Sequence, residues 1–162
     1  MQFGIREAKI SDYRGLCEMY REVDSLHAQA VPDVIRMAEG RARSRQYIAH
    51  LIRDKDALLL LAESEGSPAG FVCAFLKTVP DIPVVVPRRY ISVDCLGVRP
   101  DFRRHGVGEA LMRAVHDWAL RRDVDKVELN VWEFNTNALA FYEQLGYETS
   151  SRRMWITLGE KT

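Results

Sequence analysis

The chain has 162 residues, of which 47% are apolar and 28% charged, a composition typical of a folded globular protein. This length predicts one domain, residues 1–162, with a sizeable core. The formal net charge is zero, so no overall field favours nucleic acid or an acidic membrane surface. No run approaches the roughly 18 apolar residues of a membrane helix.

The cysteines and the first residues favour a cytoplasmic protein. Cys17, Cys73 and Cys95 are odd in number and scattered, which indicates reduced thiols. Residues 1–12 contain no apolar core of a signal peptide. No Cys/His spacing is typical of a metal site, so we expect no metal.

The first half of the chain predicts a strand, two helices and a hairpin. A helix capped by Ser11 or Asp12 ends before Pro32, and a second helix covers 44–53. Between them, residues 33–43 have no clear periodicity. The predicted strands are 3–9, 57–62 and 70–78, and an exposed proline-rich loop at 79–87 follows as a candidate rim of a ligand-binding site.

The second half is organised around a strand, a glycine-bearing turn and a helix. The β-branched and apolar residues of 90–98 predict a strand, which Pro100 ends. From Gly106 onward, apolar residues recur at helical spacing. They are Val107, Ala110, Leu111, Ala114 and Trp118. A strand at 126–132, a helix at 135–145 and a last strand at 152–158 complete the prediction.

The turn between this strand and helix is typical of an anion site. Gly106 and Gly108 let backbone approach a ligand, and the first helical turn leaves N–H groups unpaired and partly positive. Arg103 and Arg104 add charge there, so a phosphate or pyrophosphate is the expected ligand. An ordinary strand-to-helix loop is the alternative. Other arginine clusters, such as Arg41, Arg43 and Arg45, are expected to be solvated faces.

Two ordered motifs carry a family resemblance. R-x-x-G-x-G at 103–108 is followed by N-x-x-A-x-x-x-Y-x-x-x-G-[FY] at 135–147. In this order and approximate spacing the pair resembles the GNAT superfamily of N-acetyltransferases. The resemblance implies an α/β (α+β) fold with a mixed, mostly antiparallel central sheet of six to seven strands flanked by about four helices. It also implies acetyl-CoA as cosubstrate and allows a homodimer.

The resemblance assigns most of the cofactor site. The pantetheine arm is expected to pair with the backbone of 96–98, where the strand opens at a bulge that Gly97 would suit. The pyrophosphate is expected at the turn and the start of the helix, and Asn135 at the pantetheine arm. The predicted cofactor-binding residues are Leu96, Gly97, Val98, Arg103, Arg104, His105, Gly106, Val107, Gly108, Glu109, Asn135 and Tyr142.

Two residues are predicted to be catalytic. Tyr142 matches the family tyrosine that donates a proton to the leaving sulfur, a reasonable step since a phenol titrates near 10 and a thiol near 8.5. Its alternative is a core tyrosine. Asp94 is the candidate base, and strand alternation predicts that it shares a face with Leu96 and Val98. The N–H of Val98 would polarise the acetyl carbonyl.

The acceptor stays open at this point. The first interpretation is an N-acetyltransferase acting on a primary amine of a small molecule. A protein or peptide amine is the second, although Asn130 stands where some peptide-acetylating relatives have a glutamate. A non-catalytic acyl-CoA-binding regulatory domain is the third. Nucleic acid and membrane are not expected partners.

Overall fold

The chain packs into two compact units, the first ending at Asn130 and the second beginning at Val131. A computed structural model describes residues 2–159. The expectation that residues 1–162 form one domain stays a prediction. The helices and strands, in chain order, are β1 (Gly4–Glu7), α1 (Tyr13–Ala30), α2 (Arg45–Arg53), β2 (Ala57–Ser64), β3 (Ser67–Val79), β4 (Arg88–Val98), α3 (Val107–Leu120), β5 (Val127–Leu129) and α4 (Thr136–Gln144).

The first unit is built on one sheet in which the strands follow the chain order, β1-β2-β3-β4-β5. The first four strands pair antiparallel, and β4 pairs parallel with β5. The chain from β4 to β5 therefore crosses over through α3, as a parallel pair requires. The mixed, mostly antiparallel sheet and the four predicted helices are confirmed for residues 2–159.

The predicted strand count of six to seven is wrong, since the described residues form five strands. Residues 152–158 were predicted as a strand, but they adopt no regular structure. Met154, Trp155 and Ile156 are 84%, 65% and 78% exposed. A strand needs a neighbour for its backbone hydrogen bonds, and a run of apolar residues alone does not supply one. β5 is also shorter than predicted.

Each face of the sheet is covered by helices. On one face, buried residues of α1 and α2 pack against β2 and β3. On the other face, α3 packs against β2, β3 and β4. Each fully buried Leu, Ile or Phe contributes about 1.5–3 kcal/mol by leaving water. The largest fully buried side chains are Leu16, Met19, Tyr20, Ile48, Leu61 and Phe71 on the first face, with Val72, Ile91, Val107, Leu111, Met112 and Val115 on the second.

The helix starts differ in how their free N–H groups are satisfied. Ser44 caps α2, since its hydroxyl oxygen accepts from the N–H of Tyr47 at 3.1 Å. Asp12 makes no such bond to α1. Its carboxylate accepts instead from the N–H of Lys9 and from Arg6, both at 2.7 Å. The hydrogen bond from Arg6 lowers the pKa of Asp12 below its usual range.

None of the helices within residues 2–159 has the length and apolar character needed to cross a bilayer.

Candidate active site

β4 contains one more residue than β3 at the middle of their ladder. The register pairs Cys95 with Cys73 and Val93 with Ala74, which leaves Asp94 without a partner on β3. This is a β-bulge, and it bends the strand and interrupts its alternation. The bulge predicted near Gly97 is therefore placed wrongly, because Gly97 pairs regularly with Phe71.

Gly97 is required by packing instead. A Cβ at this position would lie 2.7 Å from Cε1 of Phe71 and 3.1 Å from Cγ2 of Val23. Phe71 is fully buried, and its ring packs against that of Tyr20 with centroids 4.4 Å apart. The absent side chain thus lets α1 lie close against β4.

The second half of β4 has an edge that β5 does not cover. The parallel pairing involves residues 91–93 of β4 and ends there. Ile91 donates its N–H to Lys126, on the β5 side, at 2.8 Å, whereas Arg99 donates to Ala69, on the β3 side, at 3.0 Å. Because backbone groups alternate between the two edges of a strand, the N–H groups of Leu96 and Val98 point away from β3. Within residues 2–159, no strand pairs with that stretch of edge.

The turn after β4 is held by its own polar groups. The Nε of Arg103 donates to the carbonyl oxygen of Val98 at 2.9 Å. The Nδ1 of His105 lies 2.7 Å from the carbonyl oxygen of Arg103. Arg104 and Gly106 both adopt left-handed conformations, with φ of 63° and 81°. A non-glycine residue there is strained, and such strain occurs often at ligand-binding turns.

α3 begins at Val107, immediately after this turn. Its first intrahelical bond in this region joins the N–H of Ala110 to the carbonyl oxygen of Gly106 at 3.0 Å. The N–H groups of Val107, Gly108 and Glu109 therefore have no partner within the helix. The Glu109 carboxylate is paired with Arg113 at 2.5 Å, so it is partly neutralised beside this positive helix end.

Asp94 is exposed. Its negative charge affects titratable groups on the face of the sheet that α1 and α2 cover. Burial raises the pKa of Cys73 to about 12, and the negative charge of Asp94 acts in the same direction. The pKa of Cys95 and of Tyr47 is likewise raised by burial and further by Asp94. The expectation that Asp94 shares a face with Leu96 and Val98 is wrong, because the bulge interrupts the alternation.

A cavity of about 200 Å³ lies between α1 and residues 37–43. We call it the α1 pocket. Its charged lining residues are Arg14, Glu18, Arg21, Asp24, Arg41 and Arg43. Tyr20 also lines it, and its buried hydroxyl has no well-formed hydrogen bond among the described residues.

Arg43 is the residue that sequence reasoning missed. It forms an ion pair with Asp24, and its Cζ lies 4.3 Å from the centre of the Tyr20 ring. The side chain is only 25% exposed, so it is not part of a solvated face. Its carbonyl oxygen accepts from the hydroxyl of Tyr13 at 2.9 Å. No local pattern in the sequence marks it, because its ion-pair partner Asp24 lies 19 residues away.

The second unit contains α4. The side-chain oxygen of Asn135 accepts from the N–H of Ala138 at 3.2 Å, which caps the helix as its alternative role predicted. Tyr142 is half-buried and makes edge-to-face contacts with Phe141 and Tyr147, with centroids 5.1 and 5.6 Å apart. Burial raises the pKa of Tyr147 to about 12. The roles of Asn135 and Tyr142 toward a cofactor stay predictions.

His27, in the last turn of α1, has a local partner. The Nδ1 of His27 lies 2.8 Å from the carbonyl oxygen of Val23, one helical turn earlier. Across residues 2–159, no group of three or more His, Cys, Asp or Glu side chains is arranged to hold a metal ion.

Comparison with known proteins decides the family. The sequence model of the Acetyltransferase (GNAT) family matches residues 19–147. The chain belongs to this family. The match covers the bulged strand, the turn at 103–106 and α4, so both motifs of the GNAT resemblance lie within it.

Two curated relatives and one solved structure illustrate the likeness. An uncharacterized N-acetyltransferase of Methanocaldococcus jannaschii is 31% identical over 65% of this chain and 45% of its own length. An L-ornithine N5-acetyltransferase of Arabidopsis thaliana is 36% identical over 48% of this chain and 32% of its own length. The chain thus spans less than half of either relative.

The solved structure supports the GNAT fold alone. It is a mutant of the BH1408 protein from Bacillus halodurans, with a TM-score of 0.92 and 24% identity. The alignment covers 96% of this chain and 99% of that protein.

Proposed function

We propose that this chain is an acetyl-CoA-dependent N-acetyltransferase that acts on a primary amine of a small molecule. The observation that carries the proposal is the bulge at Asp94, after which the N–H groups of Leu96 and Val98 point to an uncovered edge. Family membership supports acetyl-CoA as the cosubstrate. Such an edge can supply what acetyl transfer needs, which is hydrogen-bond donors beside the carbonyl of the acyl donor.

The cosubstrate would be held at two places on the first unit. The pyrophosphate would accept from the N–H groups of Val107, Gly108 and Glu109, with help from the α3 dipole and the charge of Arg104. The amides of the pantetheine arm would pair with the edge of β4 at 96–98, like an added strand. Asn135 is proposed, on family resemblance, to hydrogen-bond the same arm.

The proposed chemistry is direct attack of the amine on the thioester. The neutral amine nitrogen forms a bond to the acetyl carbon, and the carbon–sulfur bond then breaks. The N–H of Val98, or that of Leu96, stabilises the negative charge that develops on the carbonyl oxygen. Asp94 accepts the proton lost by the substrate ammonium, directly or through water. On family resemblance, Tyr142 is proposed to protonate the leaving sulfur, and the new amide nitrogen then releases its extra proton, which restores the Tyr142 phenol through water.

The size of the α1 pocket supports a small acceptor. Its volume of about 200 Å³ is below the usual 300–1,000 Å³ of sites for drug-sized ligands. The named relative from Arabidopsis acts on ornithine, a small amine, and we include that compound among those to be tested.

Calorimetric titration with acetyl-CoA, with ATP titrated in parallel, tests the cosubstrate. We expect micromolar binding of acetyl-CoA and much weaker binding of ATP. An assay of free thiol release with amino acids, polyamines, aminoglycosides and peptides then tests turnover. Binding without release from any amine would favour the acyl-CoA-binding regulatory domain, and absence of binding would refute the proposal.

A further inference from the structure

The α1 pocket has an excess of positive charge. Four arginines and two acidic residues are the charged groups of its lining. One arginine, Arg14, is paired with Glu18 at 3.3 Å on the surface, where both side chains are largely exposed. A second, Arg43, is paired with Asp24. Arg21 and Arg41 have no counterpart of opposite charge in the lining, so the pocket suits an anionic group.

Arg43 is connected to the sheet through aromatic contacts. It stacks on Tyr20, which itself packs on Phe71 of β3 with centroids 4.4 Å apart. Phe71 is opposite Gly97 of β4, three residues beyond the bulge at Asp94. Contacts thus lead continuously from the guanidinium of Arg43 to the strand that bears Asp94.

The two charges also act on the same side chains. Arg43 lowers, and Asp94 raises, the pKa of Tyr47 and of Cys95, in each case as a smaller contribution beside that of burial. Tyr47 and Cys95 therefore lie near both the guanidinium of Arg43 and the carboxylate of Asp94.

We propose that the acceptor is an amino acid whose carboxylate binds Arg43 in the α1 pocket while its reacting ammonium binds Asp94. This rests on the proposed function and names the substrate class of the same site. Nη1 of Arg43 donates to Asp24, and the planar guanidinium has further N–H donors that can bind a second carboxylate. The charges of Arg21 and Arg41 in the same lining would offset the added negative charge. Because the cationic Arg43 and the anionic Asp94 are separate, they would orient a zwitterion with its amine toward β4.

The test compares acceptors that differ only in the carboxylate. Thiol release from acetyl-CoA is measured with α,ω-diamino acids and with the diamines of equal chain length that lack the carboxyl group, for example L-lysine and cadaverine. Three chain lengths of each are used, and products are identified by mass spectrometry. We expect kcat/KM to be about ten- to a hundredfold higher for the diamino acid of the preferred length, as one charged hydrogen-bonded pair contributes.

Two substitutions separate carboxylate binding from a structural role. Arg43→Met should remove the preference for the diamino acid, because kcat/KM should fall much more for the diamino acid than for the diamine. Asp24→Asn should raise the preference, because it leaves the guanidinium in place without its ion-pair partner. If Arg43 only fastens residues 37–43 to α1, both variants lose activity with both acceptors alike, and the proposal is overturned.

Arg45→Met is the matched control. Arg45 lies two residues beyond Arg43 and stacks over Tyr13, with its Cζ 5.8 Å from the ring centre, and the preference should be unchanged. Turnover of diamines equal to or above that of diamino acids would refute the substrate class while leaving acetyl transfer established. Thiol release from no amine at all would instead count against the proposed function.

Discussion

Replacing Gly97 with alanine tests how α1 is seated on β4. The added Cβ would meet Cε1 of Phe71 at 2.7 Å, closer than carbon atoms approach in folded proteins. Phe71 cannot move aside easily, because it is fully buried and packed against Tyr20. Overpacking of this kind costs about 1–3 kcal/mol. We therefore expect Gly97→Ala to remain folded but to lose that much free energy of unfolding, out of a usual total of about 5–15 kcal/mol.

The assay is urea unfolding followed by circular dichroism, with two other glycines for comparison. At Gly4, in β1, an added Cβ meets nothing within 4 Å, so Gly4→Ala should be neutral or stabilise by up to about 1 kcal/mol. At Gly70 the Cβ would lie 2.8 Å from the carbonyl oxygen of Gly97. A backbone atom cannot rotate away, so Gly70→Ala should cost at least as much as Gly97→Ala. If Gly97→Ala unfolds at the same urea concentration and slope as Gly4→Ala, the reasoning is refuted.

Three substitutions test the proposed cosubstrate site and acid. Gly108→Trp, in the first turn of α3, should abolish binding of coenzyme A in calorimetry, while cooperative thermal unfolding shows that the variant is still folded. Unchanged affinity for coenzyme A would refute the proposed cofactor site. Arg104→Gly should relieve a strained φ of 63° and leave stability equal or up to about 1 kcal/mol higher. It should also weaken coenzyme A binding about two- to fivefold by loss of one exposed charge, whereas a tighter complex would contradict an electrostatic role. Tyr142→Phe should lower kcat by about ten- to a thousandfold, and an unaltered rate would assign the tyrosine to packing.

The sheet could be predicted where local pattern and tertiary pairing agree. β2 and β3 are apolar runs joined by Glu65 and Gly66 in a tight turn, and both residues have positive φ. The same kind of pattern at 152–158 predicted a strand that the described chain does not form. Periodicity reports what a segment would bury, whereas a strand exists only when another strand satisfies its backbone.

The polar residues of the site were harder to predict than the backbone. The turn at 103–106 and the start of α3 are local features, fixed by Gly106 and by the apolar stripe that follows. Arg43 and Asp24 are 19 residues apart, and nothing local in the sequence indicates that they form an ion pair. The α1 pocket is likewise a product of tertiary packing, because its lining comes from a helix and from a segment without periodicity.

The single extra residue at Asp94 organises both sides of the proposed chemistry. In a strand without the bulge, alternation from Ile91 would direct the N–H groups of Cys95 and Gly97 to the uncovered edge. The N–H groups of Leu96 and Val98 would then face β3. The bulge reverses this assignment. The N–H groups at the uncovered edge are then those of Leu96 and Val98, whereas the charge of Asp94 affects groups on the face covered by α1 and α2. An acyl group at the edge and an amine on that face would therefore meet at β4 from different directions, which is the arrangement that direct transfer requires.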